Sequence, residues 1–178
     1  MAIGTKERLA AWVMFLQAHS VVVDALGREL EGERGLPLTW YEVLLSLGMA
    51  DGGRLRMLDL SRSLLLSKSG ATRLIDRMES AGLVARRPSP HDRRVIWAAI
   101  TPRGRRAFDA AAPVHLRGIE RHFMEALSDD EVRGLMAALR KVILANGHPA
   151  EACHSPDDFR VVAEVCARRG ARTAARSE

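Results

Sequence analysis

The sequence predicts a mostly helical protein with one small β-hairpin and a helical arm. Three observations carry that expectation. Ala, Leu and Arg dominate while aromatic residues make up only 4%, a composition that favours helix. Apolar residues recur at spacings of three, four or seven over residues 5–31 and again over 132–142, the period of a helix with a buried stripe. Between them, residues 67–106 read SKSGATRLIDRMESAGLVARRPSPHDRRVIWAAITPRGRR. That is a basic amphipathic helix, a short apolar run, a polar loop, a second apolar run and a new helix start.

The bulk properties narrow the classes. A chain of 178 residues suffices for one well-buried core, or one core plus an extended arm. It is 47% apolar and 28% charged, an ordinary globular composition. The net charge is +5, but from Arg56 to Arg106 there are 12 Lys/Arg against 4 Asp/Glu, so this stretch carries +8 and the remainder −3. Positive charge concentrated in the middle third suits a polyanion, although a solvated basic surface reads the same way. No run of 18 consecutive apolar residues occurs, which reads against a membrane helix, and the first dozen residues lack a signal peptide's apolar core. The two cysteines, Cys153 and Cys166, are both late in the chain and make neither a disulfide framework nor a zinc spacing. A reducing cytoplasm is the expected setting. There is no glycine-rich phosphate loop, no metal-ligand cluster and no nucleophile with a base beside it. The expectation is therefore no enzyme, no metal and no cofactor.

The elements follow in order. Residues 5–31 form a long helix whose Leu9, Trp12, Leu16, Val23, Leu26 and Leu30 share a face, with Val13, Phe15, Val21 and Val22 widening it. A terminal helix this apolar usually packs on two surfaces, one of which a second subunit can supply. Residues 32–37 are a loop. Thr39 is an N-cap candidate for a helix to about Met49, and Asp51-Gly52-Gly53 ends it. A short helix spans about 57–64, and Ser67 can cap the basic helix through Ala81. Gly82 stands where a C-cap glycine belongs. Residues 83–86 and 95–100 read as paired strands around a loop bounded by Pro88 and Pro90. Thr101-Pro102 is an N-cap followed by an N1 proline, and the helix it opens should kink or break near Pro113. Ser128-Asp-Asp-Glu131 has the capping-box pattern for a last strong helix. Beyond residue 149, a short helix near 157–168 and a fraying tail are expected. The boundaries are thus 1–36 for a first arm helix, 37–101 for a winged helix-turn-helix, 102–148 for further arm helices, and 149–178 for an extension.

Three blocks, LSKSGATRLIDRMESAGLVAR (66–86), the DRR of residues 92–94 and ITPRG (100–104), resemble the MarR family, the winged-helix regulators of the multiple-antibiotic-resistance type. The resemblance covers roughly residues 5–145. It implies a homodimer whose first and last helices form the arm, and binding to a pseudo-palindromic double-stranded DNA operator. It also implies relief by a small-molecule effector held between arm and DNA-reading parts. The leading expectation is a ligand-responsive regulator, usually a repressor, and the alternative is a winged-helix protein-interaction module that never reads sequence.

Residue roles follow from both readings. Ser69, Thr72 and Arg73 are placed to meet base edges in the major groove, where Arg reads guanine bidentately. Ser67 and Lys68 lie near the positive end of their helix and suit phosphates, and Arg77 lies one turn further on. Arg94, then Arg93, are the expected minor-groove arginines. Family analogy gives Asp92 the task of bracing one of them. Arg86 and Arg87 at the wing's base are expected to add phosphate contacts. Each of these also reads as a solvated surface or a loop ion pair. Trp12, Phe15, His19, Trp40 and Tyr41 are the candidate walls of an effector pocket, with core packing the competing account of the aromatics. His19, His115 and His122 read more simply as structural or surface residues than as ligands.

Overall fold

A computed structural model describes residues 4–64, 66–89, 92 and 95–147 of the chain. Helix α1 spans Thr5–Arg34, α2 Leu38–Met49, α3 Met57–Ser63, α4 Lys68–Ser80, α5 Pro102–His122 and α6 Asp129–Ala145. The strands are β1 Arg54–Arg56, β2 Val84–Pro88 and β3 Ile96–Ile100, with single 3-10 turns at Asp51–Gly53 and Met124–Ala126. The fold is mostly helical with a small antiparallel sheet in the order β1-β3-β2.

Four sequence expectations needed adjustment. α1 runs one turn past residue 31, and Gly35 in the left-handed region closes it. Thr39 is not a cap: α2 begins at Leu38 after Pro37, whose fixed φ pre-sets the entry. Strand β1 was not expected. Its three residues pair Arg54 with Ala99, Leu55 with Ala98 and Arg56 with Trp97, a segment too short to show alternation in sequence. α5 continues through Pro113 to His122 and breaks instead at Phe123 (φ −135°, ψ −55°). The helix expected near 157–168, Cys153 and Cys166 lie outside the described residues.

The turn from α4 into β2 sets the architecture. Gly82 takes φ +72°. Its N–H bonds Glu79 O, and Leu83 N–H bonds Met78 O, the paired bonds of a Schellman cap. Leu83 O then accepts from the backbone N–H of Thr101 at 3.1 Å. The Thr101 hydroxyl donates to Gly82 O at 2.7 Å and accepts from Gly104 N–H at 2.9 Å. A Cβ at residue 104 would stand 2.1 Å from Leu83 O, so only glycine lets α5 start against the wing. That is the physical content of Thr-Pro-x-Gly.

The core lies where α1, α2 and α5 meet the sheet and the two short helices. Leu30, Tyr41, Leu44, Leu47, Ile75, Met78 and Phe108 are fully enclosed within it. Tyr41 stacks on Phe108 at 5.7 Å and lies 4.4 Å from the His115 ring. The contact of α1 with α5 is close at Gly118, where Leu26 and Glu29 would block any Cβ. Glu29 pairs with Arg121 and His122, and Glu33 with Arg117.

Two surfaces remain bare. In the first half of α1, Leu9, Trp12, Val13, Met14, Phe15 and Leu16 are all exposed. α6 buries no residue, and Met136, Val142 and Leu144 face solvent. By length and composition α1 is also apolar enough to cross a membrane, its richest 18-residue window averaging a hydropathy of 1.6. That window holds polar residues, which is why no unbroken apolar run appears in the sequence. Its second half is fixed to the body through Ala25, Leu26 and Leu30.

Two outcomes follow. Gly104→Ala should destabilise the protein by about 3 kcal/mol, read from urea midpoints, because the helix start must separate from Leu83. Burial pulls the His115 imidazole from 6.5 down to about 4. The folded protein therefore binds fewer protons than the unfolded chain between those values, and stability falls as pH drops from 6.5 toward 4. His115→Phe should flatten that part of the pH profile.

Candidate nucleic-acid interface

α3 and α4 form the helix-turn-helix, and β2 and β3 form its wing. Ser67 starts α4 as a true N-cap: its hydroxyl accepts from Gly70 N–H at 3.1 Å and lies 3.2 Å from the Ser69 hydroxyl. Ala71, Leu74, Ile75 and Met78 anchor one face of α4 in the core. The opposite face leaves Lys68, Ser69, Thr72, Arg73, Asp76 and Arg77 exposed. The sequence-expected reading residues are therefore brought to one surface. Thr72 donates its hydroxyl to Lys68 O at 2.9 Å, so it presents its methyl group and lone pairs outward.

Arg86 takes a different place from the expected phosphate contact. Its guanidinium turns onto α4, 2.7 Å from Asp76, 2.6 Å from Glu79 and 3.2 Å from Thr72 O. Its backbone N–H donates to Glu79 at 2.8 Å. That backbone bond, with the guanidinium bonds added, holds the Glu79 carboxyl below its ordinary value. The register explains the inward turn. Arg86 sits opposite Ala98, which is buried, whereas Arg87 sits opposite Trp97 on the outer face. Successive strand residues point to opposite sides. Arg86 thus ties wing to helix and offsets one of the two carboxylate charges it meets on α4, so that Lys68, Arg73 and Arg77 leave the helix net positive.

Asp92 is exposed, while Arg93 and Arg94 lie outside the described residues. An open cleft of about 550 Å³ separates wing and helices, bounded by Met57 and Leu58 of α3, Thr72 of α4, and Arg86 and Ile96 of the wing.

The five expected effector-pocket residues do not form one enclosure within a single chain. Tyr41 is core, and Trp40 is half-buried against it. Trp12 and Phe15 form an exposed pair 6.1 Å apart. His19 is exposed on α1, near enough to act on the Glu42 carboxylate of α2. Sequence reasoning gave less weight to His115. Its Nδ1 is buried with no hydrogen-bond partner among the described residues, and a histidine on the same helical face as Phe108 and Ala111 was the available signal. No three His, Cys, Asp or Glu side chains come together as a metal site among the described residues.

A buried helix-turn-helix, an exposed basic second helix and a β-hairpin beside it define a winged helix-turn-helix protein. Residues 34–95 match the sequence profile of the MarR family. The chain is 31% identical over 96 residues to the HTH-type transcriptional regulator YkoM of Bacillus subtilis, covering 54% of this chain and 62% of YkoM. Its fold is similar to AbsC, a MarR family transcriptional regulator from Streptomyces coelicolor (TM-score 0.75, 31% identity, 82% of this chain and 97% of AbsC). It is also similar to Streptomyces coelicolor Sco3205, a MarR family regulator solved in complex with DNA (TM-score 0.74, 24% identity, 85% and 94% covered). The chain belongs to the MarR family of transcriptional regulators.

The Arg86 arrangement makes a testable distinction. As a brace, Arg86→Ala should weaken duplex binding roughly tenfold, the loss of about 1.5 kcal/mol in charge-assisted bonding. The added substitution Asp76→Asn should restore much of that affinity, because the exposed carboxylate is then gone. Fluorescence anisotropy on one duplex reads both. A phosphate-contacting Arg86 would show no such rescue.

Proposed function

We propose that the protein is a homodimeric, sequence-specific DNA-binding regulator, a repressor relieved by a small-molecule effector. The observation that carries the DNA reading is the exposed face of α4, where Lys68, Arg73 and Arg77 stand clear while Arg86 occupies the neighbouring carboxylates. In this reading Ser69, Thr72 and Arg73 meet base edges, Ser67, Lys68 and Arg77 meet phosphates, and Arg93 and Arg94 enter the minor groove beside Asp92. Phosphate contacts fix position and base contacts supply specificity.

The dimer reading is supported by the two bare apolar surfaces of α1 and α6. A second copy covering both would bury on the order of 2,000 Å² or more in total. It would present two α4 helices to successive major grooves, about 10 to 11 base pairs apart. The effector reading is supported by the facing sides of α1, α2 and α5: His19 lies near Glu42, Trp40 packs against the core, and the buried His115 Nδ1 has no hydrogen-bond partner among the described residues. A ligand there acts only through its different affinity for the two spacings of the α4 helices.

Selection of duplexes from random sequence should return a pseudo-palindrome. Arg73→Ala should then cost about 1 to 3 kcal/mol on that site and little on unrelated DNA. Sedimentation should show a dimer at micromolar concentration. A stable monomer, or partition of α1 into lipid vesicles, would remove the dimer reading. Recovery of no sequence motif would favour a protein-interaction module instead.

A further inference from the structure

The outer face of the wing's sheet carries a feature that sequence-specific reading does not use. β1 places Arg54 and Arg56 on that face beside Trp97 of β3. Both guanidinium groups lie over the indole, at 5.0 and 5.5 Å from its centroid. Arg87, exposed on β2, is the cross-strand partner of Trp97 on its other side. Three arginines therefore surround one half-buried tryptophan. Arg54, Arg56 and Arg87 are all exposed, and none forms an ion pair among the described residues. Asp51 and Asp59, the nearest carboxylates in sequence, do not pair with them either.

We propose that this face is a second phosphate-binding surface, which holds the backbone of duplex DNA flanking the operator. The inference rests on the DNA-binding reading above and adds residues outside the helix-turn-helix and wing tip. Stacking on an aromatic ring restrains a guanidinium while leaving its N–H edges for an anion. Because the arginines lie over the indole, Trp97 is not an open platform for stacking an unpaired base. The chemistry therefore suits phosphates of a duplex rather than the bases of a single strand. Continuity favours the same duplex that α4 reads. Arg56 also lines the cleft that it shares with Thr72 of α4 and Arg86 of the wing, and β3 leads directly from Trp97 toward the wing tip.

The test uses the full-length protein, two mixed-sequence duplexes of about 20 and 40 base pairs, and a salt titration of binding. Arg54→Gln with Arg56→Gln should lower the thermal unfolding temperature only slightly, since both side chains are exposed and lose only their contacts with the indole. On the longer duplex it should lower affinity by ten- to a hundred-fold and reduce the salt slope by roughly two to four units for a dimer. The loss should be smaller on the short duplex. Arg54→Lys with Arg56→Lys should keep the slope but lose several-fold affinity, because lysine lacks the flat stacking group. With Trp12→Phe and Trp40→Phe in place, Trp97 is the sole tryptophan, and its emission should change when the longer duplex binds. Equal losses on both lengths, an unchanged slope, or poly-glutamate competing as well as DNA would each overturn the proposal. If the unsubstituted protein binds no duplex, the DNA reading itself fails. If it binds and only Lys68→Ala or Arg73→Ala lowers the affinity, the outer face alone is excluded.

Discussion

The carbonyl of Leu83 is the point on which the arrangement turns. It follows directly on the Schellman cap of α4, accepts from the backbone of Thr101, and lies where a side chain at residue 104 would stand. The end of α4, the start of β2, the end of β3 and the start of α5 all meet within this one turn. A buried carbonyl left unbonded costs free energy comparable to a lost hydrogen bond, so these four elements cannot separate independently. The orientation of α4 relative to the arm is fixed here.

Electrostatics then divides the arginines by the period of the strand. Arg86 and Arg87 are adjacent in sequence and have opposite surroundings. The inward one meets Asp76 and Glu79, whose charges compensate its own. The outward one joins the sheet face of Trp97, Arg54 and Arg56. A count of positive charge treats all four alike. Their surroundings separate them: Arg86 is paired within the fold, while Arg54, Arg56 and Arg87 form no ion pair among the described residues. The pairs of Arg86 are partly exposed, so their worth lies in direction and charge neutralisation more than in stability.

The arm is governed by what water does not tolerate. α1 is held by its second half, and its first half carries an apolar surface that none of the described residues covers. α6 is well capped, with Ser128 and Glu131 in a reciprocal box, yet it buries nothing. Good local helix chemistry with no fully buried residue among the described ones leaves α6 an apolar surface to cover. A second copy is the account we prefer, because one interface would cover both helices.

Most of the helices, the hairpin, the Ser67, Gly82, Thr101 and Ser128 caps and the exposed basic face of α4 were legible in the sequence, because each rests on local chemistry within a few residues. The third strand was not legible, since three residues cannot display a period. Thr39 was misread because Pro37 offers the same entry by fixing φ. A kink or break was expected near Pro113, and the helix does not break there, because sequence shows only the lost N–H and not the neighbours that hold α5 on both sides of it. The aromatic residues near the two ends of the junction share a composition but not a location: Tyr41 went to the core and Trp12 to the surface. The sequence by itself determined the elements, their order and the residues facing one another along each helix. Only the tertiary structure decided that Arg86 is spent on α4, that Arg54 and Arg56 cover Trp97, and that His115 is buried. These are contacts between segments seven or more residues apart, where pairing depends on register and packing rather than on local propensity.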